Sequence, residues 1–162
     1  MKLRLMNDPV LREICTPVEQ AELEHIKSLV PEMMKVLEQE DGAALAANQV
    51  GITKRFFLMK SGKLIINPEI IDLGPLTKYE EGCLSIPGAW AETQRAQYIK
   101  VRYKDENFSD VEVEYNGQDA VAFQHEIDHL DGKLYTDQLP PMRRLLTLDK
   151  SRKFIKMRSR RK

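Results

Sequence analysis

Two of the chain's three histidines stand four residues apart, in His125-Glu126-Ile127-Asp128-His129. On a helix that spacing puts both imidazoles on one face, where they can reach a single metal ion. Glu126 adjoins the first of them, and its carboxylate can meet a water held at the same ion. This is the HExxH arrangement of hydrolytic metal sites. The plainer reading is a solvated helix with two incidental histidines. It is disfavoured because the pattern falls on a credible helix, QDAVAFQHEIDHL, that stops at Asp131-Gly132.

A hydrolytic site needs a third protein ligand and an open position for water. The longer pattern HExxHxxGxxH is nearly present: Gly132 is in place, but Tyr135 occupies its last position. Another class of site is completed by a downstream acid, for which Asp149 is a crude candidate inside a basic segment. His25 has no supporting motif. The remaining soft ligand is Cys83, in Glu81-Gly82-Cys83-Leu84-Ser85. A lone cysteine near a glycine is weak testimony, since buried cysteine commonly serves as a small apolar filler, and Cys15 takes that reading. Two thiols in all argue against a disulfide framework and for free thiols.

These residues need elements to position them. Residues 20–40 place Leu23, Ile26, Leu29, Val30, Met33, Met34 and Leu37 at helical spacing, with Pro31 expected to kink or divide the helix. Strands are expected at Arg55–Met59, Lys63–Asn67, Tyr98–Lys104 and Asp110–Tyr115, the last two alternating and so half wet. The HExxH helix follows, and a terminal helix begins after Pro140-Pro141 and runs to about Met157. The order is an α+β one, with small mixed or antiparallel sheets packed around a central helix that carries HExxH, and a C-terminal helix.

The length, 162 residues, suits one domain, 1–162, that includes a basic helix at about 142–162. Hydrophobic residues make up 42% and charged residues 31%, an ordinary globular balance. No apolar run is long enough for a signal peptide or a membrane span, and a cytoplasmic location is the expectation. The net charge of zero hides an asymmetry. Arg143–Lys162 holds ten bases and one acid, a surplus of +9, and the preceding 142 residues carry −9. Such a tail either meets a polyanion or is a solvated helix.

Three segments together resemble the peptide deformylase family. They are Gly42-Ala43-Ala44-Leu45-Ala46-Ala47-Asn48-Gln49, the EGCLS segment at 81–85, and Gln124-His125-Glu126-Ile127-Asp128-His129-Leu130-Asp131-Gly132. Weaker agreement at Asp8-Pro9-Val10-Leu11-Arg12 and Ile66-Asn67-Pro68 extends the likeness over roughly residues 7–140. The resemblance implies that Cys83, His125 and His129 bind one divalent metal, with Fe(II) favoured and zinc, nickel or cobalt possible. Glu126 would be the general acid–base, and the Gln49 amide and Leu84 N–H would donate to an oxyanion. Ala43, Ala44 and Gly82 would pair with an extended peptide, and Val121 would line a methionine pocket or simply pack in the core.

The implied activity is hydrolysis of the N-formyl group from the N-terminal formylmethionine of nascent polypeptides, releasing formate. The implied partner of the basic helix is the ribosome near its exit tunnel. Removal of residues 150–162 is then expected to weaken ribosome binding and spare activity on a short formyl-peptide. One position departs from the family pattern: Ala44 stands where a second glycine is usual. A positive φ there would cost on the order of 1–2 kcal/mol, whereas a negative φ would leave only a narrower cleft.

Overall fold

The apolar runs Phe56-Phe57-Leu58 and Leu64-Ile65-Ile66 bury every residue, because the sheet they build is covered on both faces. The computed structural model describes residues 1–160; Arg161 and Lys162 of the basic segment lie outside the described residues. A five-stranded antiparallel sheet contains β1 (Ala44–Ala46), β2 (Phe56–Met59), β3 (Leu64–Leu73), β6 (Tyr98–Lys104) and β7 (Asp110–Asn116), in the order β1-β2-β3-β6-β7. Between β3 and β6 in sequence, β4 (Leu76–Cys83) and β5 (Ile86–Ala96) form a separate antiparallel hairpin.

Alternation sends Phe56, Leu58, Leu64 and Ile66 to one face, against Ile26, Met33 and Leu37 of helix α1 (Leu23–Gln39). Phe57 and Ile65 face the other way, with Ile99 and Val101, onto Ala120, Phe123, Ile127 and Leu130 of helix α2 (Gly117–Leu130). Full burial of one such side chain is worth roughly 1.5–3 kcal/mol, so a one-residue slip that exposed a row of them would be costly. The register is thereby fixed.

Of the kink or division expected at Pro31, division does not occur, since helix α1 runs through it as one element. Pro31 lies on the exposed side, where water can satisfy the carbonyl left without an N–H partner. The strand expected at Lys63–Asn67 is longer, running through Pro68 to Leu73 with register shifts between Ile66 and Glu69 and between Ile70 and Asp72. Both cysteines are free thiols.

Two contacts aim α2. Gln124 accepts from the Ala96 amide through Oε1 (2.9 Å) and donates to the Ala96 carbonyl through Nε2 (3.0 Å), tying the helix to the end of β5. Past its C-terminus Gly132 takes φ +70°, and a Cβ there would stand 2.6 Å from the Arg12 carbonyl oxygen. Only glycine meets both demands. The terminal helix α3 (Pro141–Ser159) then crosses β5, with small Thr147 and Ser151 buried at the contact.

Candidate active site

The EGCLS segment forms the tip of the β4–β5 hairpin. Cys83 pairs with Ile86, and Leu84-Ser85 make the connection between the strands. This tip faces α2, and it brings the Cys83 Sγ to 3.1 Å from His129 Nε2. Cys83, His125 and His129 each offer one ligand atom, all within 4.8 Å of one another. A tetrahedral ion with bonds of about 2.0–2.3 Å to nitrogen and sulfur holds its donors roughly 3.5 Å apart, which this arrangement can meet. The three residues could therefore hold a metal ion. Burial, with the positive charges of His125, Arg95 and Arg12, pushes the His129 pKa well below its usual value. A neutral imidazole is the form that ligates a metal.

Glu126 is 4% exposed, and its Oε2 has no hydrogen-bond partner among the described residues. Burial pushes its pKa up to about 7. A carboxyl poised there exchanges a proton readily near neutral pH. Gln49 is 1% exposed, and its orientation is set at both ends. Its Oε1 accepts from the Ala46 amide (2.9 Å), while its Nε2 donates to Ser85 Oγ (3.1 Å) and points toward Cys83 Sγ at 3.6 Å.

Behind the first histidine stands a group that sequence reasoning leaves without a role. Glu81 meets His125 Nδ1 at 2.8 Å and receives Arg95 through Nε (2.7 Å) and Nη2 (3.1 Å), with the Thr93 hydroxyl also on its Oε1. Arg95 Nη1 donates onward to Asp128 at 2.6 Å. Burial works to raise the Glu81 pKa, but the hydrogen bonds from His125 and Arg95 outweigh it and hold the value at about 2. A carboxylate fixed in this way orients the imidazole and sets its tautomer. Asn48, fully buried, likewise donates from Nδ2 to the His129 carbonyl at 2.5 Å.

The Cys83–His125–His129 group opens onto a cleft of about 920 Å3 whose walls include Cys83, His125, Glu126, Gln49 and Leu84, together with Ala43, Ala44, Gly82 and Val121. Among the ten candidate site residues only His129 is absent from these walls; it lies behind them, 1% exposed. Ala44 is not among the described residues with positive φ, so its methyl narrows the cleft without straining the backbone. The rival third ligands fall elsewhere. Tyr135 is buried and donates its hydroxyl to the Ala89 carbonyl (3.0 Å). Asp149 pairs with Lys153 on α3, and His25 is exposed on α1.

The signals for the missed residues were faint. Glu81 begins the EGCLS segment, and Arg95 is a charge that the alternation of β5 turns inward. Phe154 and Arg158, which also line the cleft, carried no sequence signal beyond their place in a basic helix.

Comparison with known proteins shows the family of the chain and its fold. The sequence profile for polypeptide deformylase matches residues 1–145. The peptide deformylase of Thermotoga maritima is 43% identical over 149 residues, covering 90% of each chain. Peptide deformylase 2 of Xanthomonas axonopodis pv. citri is 38% identical over 159 residues, covering 91% of this chain and 94% of its own. Among solved structures, a peptide deformylase from Legionella pneumophila superposes with a TM-score of 0.93 at 34% identity, covering 98% of this chain and 97% of its own. That of Thermotoga maritima gives a TM-score of 0.81 at 42% identity, covering 86% and 97%.

Proposed function

The chain belongs to the polypeptide deformylase family, and from that premise we propose how its residues remove the formyl group from the N-terminal formylmethionine of nascent polypeptides. The observation that supports this reading best is the convergence of Cys83, His125 and His129 beside the buried carboxyl of Glu126, at the floor of a cleft with an open strand edge.

That edge belongs to β1, which pairs with β2 on one side and ends the sheet on the other. An extended peptide can add to such an edge through backbone hydrogen bonds. Ala43 and Ala44 flank it on one side and Gly82 on the other, with Val121 beside the first side chain. In this pose the formyl carbon meets water next to Glu126. When bound, a divalent ion held by Cys83, His125 and His129 would supply Lewis acidity and bring water's ionisation near neutral pH.

Glu126 takes the proton of the attacking water. Gln49 Nε2 and the Leu84 amide donate to the developing oxyanion, one such donor being worth ~3 kcal/mol. Glu126 returns the proton to the leaving amine, and formate departs. Throughout, Glu81 holds His125 and Asn48 holds the backbone of His129.

The thiolate-and-two-imidazole set accepts several divalent ions, and Fe(II) is the physiological one in this reading, with zinc, nickel or cobalt as substitutes. The chain acts as one catalytic domain in the cytoplasm. No helix among the described residues is long and apolar enough to cross a membrane. The basic face of α3 is proposed to meet ribosomal RNA near the exit tunnel. The test is formate release from formyl-Met-Ala-Ser by anaerobically prepared protein, with metal analysis of the same sample. Turnover that scales with bound metal is expected. A metal-loaded protein that releases no formate would overturn the reading.

A further inference from the structure

The cleft does not end at the strand edge. Outward from Gln49, β1 leads back through Ala44 and Gly42 to Asp41 and Glu40, at the C-terminal end of α1. There the wall passes to the terminal helix, which contributes Phe154 and Arg158 to the same cleft. Both lie beyond residue 145, where the family match stops.

Their placement is built into the fold. Thr147 and Ser151, small and buried, let α3 approach β5 closely. One turn further on, the Phe154 ring lies against Gly88, where a Cβ would come within 2.4 Å of it. Gly88 also holds φ +70°, so the position excludes larger residues twice over. Arg158 grips Glu40 with both ends of its guanidinium, at 2.6 and 3.0 Å, and so joins α3 to the opposite rim. Trp90, also on the cleft wall, is 62% exposed, with its indole over Gly82, the residue proposed to lie beside the substrate backbone. An aromatic residue from the helix and another from the hairpin thus line the same cleft as the candidate site.

We infer that the last two turns of α3 form a specificity wall for the substrate, with Phe154 and Trp90 receiving an apolar side chain beyond the second residue and the Arg158–Glu40 pair closing the far mouth. The inference rests on the deformylase reading and adds to it. The terminal helix takes part in substrate choice, and removal of residues 150–162 changes the cleft as well as the basic surface.

The test compares kcat/KM for formyl-Met-Ala-Leu-Leu and formyl-Met-Ala-Ser-Ser in the metal-loaded full chain. A preference of roughly tenfold for the leucine peptide is expected, equivalent to ~1.4 kcal/mol. In Phe154→Ala the ratio should fall toward one, mainly through KM. Phe154→Leu should restore most of it, and Leu145→Ala, on the exposed side of the same helix, should leave it in place. Thermal melts of each variant separate loss of fold from loss of preference. A native ratio near one, the native ratio kept in folded Phe154→Ala, or a ratio in folded Phe154→Leu no higher than in Phe154→Ala, each with formate released, would overturn this inference alone. No formate from any peptide would overturn the deformylase reading and this inference with it.

Discussion

The two ends of the cleft are held by different physics. At the Cys83–His125–His129 end the groups are buried and tied several times over: Glu81 and Arg95 are 3% and 5% exposed, and Gln49 and Asn48 sit in fixed hydrogen bonds. At the far end, α3 is held by a surface ion pair in which Arg158 is 48% exposed, by one aromatic contact and by two small residues. A group held by one geometry serves chemistry, whereas a wall held by surface contacts can vary with little damage to the core. Substitutions at the first end should abolish function or folding. Those at the second should tune it.

The largest effect is expected from Glu126→Gln. Metal content should stay near one equivalent while deformylation falls by several orders of magnitude, because the proton carrier is removed and the ligands are not. Near-native turnover would take Glu126 out of the chemistry. Next is Arg95→Met, which leaves Glu81 and Asp128 without their shared cation. Breaking a buried pair from one side costs about 3–5 kcal/mol, so denaturant unfolding should show a loss of that order. A change under 1 kcal/mol would mean that the buried end is not tied as described.

This contrast also explains what the sequence could and could not disclose. The ligand spacing in α2 was legible because period and chemistry coincide in five residues. β6 was legible because it alternates cleanly at Tyr98–Lys104, the bounds it has in the structure. The hairpin was not. Strand β4 reads Leu-Thr-Lys-Tyr-Glu-Glu-Gly-Cys, in which the inward Glu81 breaks the apolar pattern because its partner is Arg95, fourteen residues later on β5. Pro31 left two outcomes open for a related reason, since its cost depends on which side of α1 faces water. The His125/His129 pair in α2 is local; the grip of Glu81 on His125 and the reach of Phe154 into the cleft arise only from tertiary contact.

Smaller effects sharpen the comparison further. Ala44→Gly should raise kcat/KM a few-fold if the methyl crowds the peptide backbone, with metal content unchanged. No change would show that the cleft is wide enough at that point. At the joint between the two ends, Asp137 receives Arg12 and, from α3, Arg144. Burial works to raise its pKa, but hydrogen bonds from Arg12 and the Leu134 amide, with the charges of Arg12 and Arg144, hold it below the ordinary 3.8. Its depressed folded-state pKa makes its contribution fully present above the unfolded value and lost as pH falls through the folded one. Asp137→Asn should therefore be less stable than the native chain at pH 6, on the order of 1 kcal/mol or less. The gap should close below about pH 4 in parallel melts, and a gap independent of pH would assign the loss to packing.

The claim on which everything else depends is that one sulfur and two imidazoles share an ion. X-ray absorption at the metal edge of the anaerobically loaded protein tests it directly. One sulfur scatterer at about 2.3 Å with two nitrogen scatterers near 2.0–2.1 Å is the predicted shell, and the sulfur should vanish in Cys83→Ser. A shell of nitrogen and oxygen alone in the native protein would contradict the account.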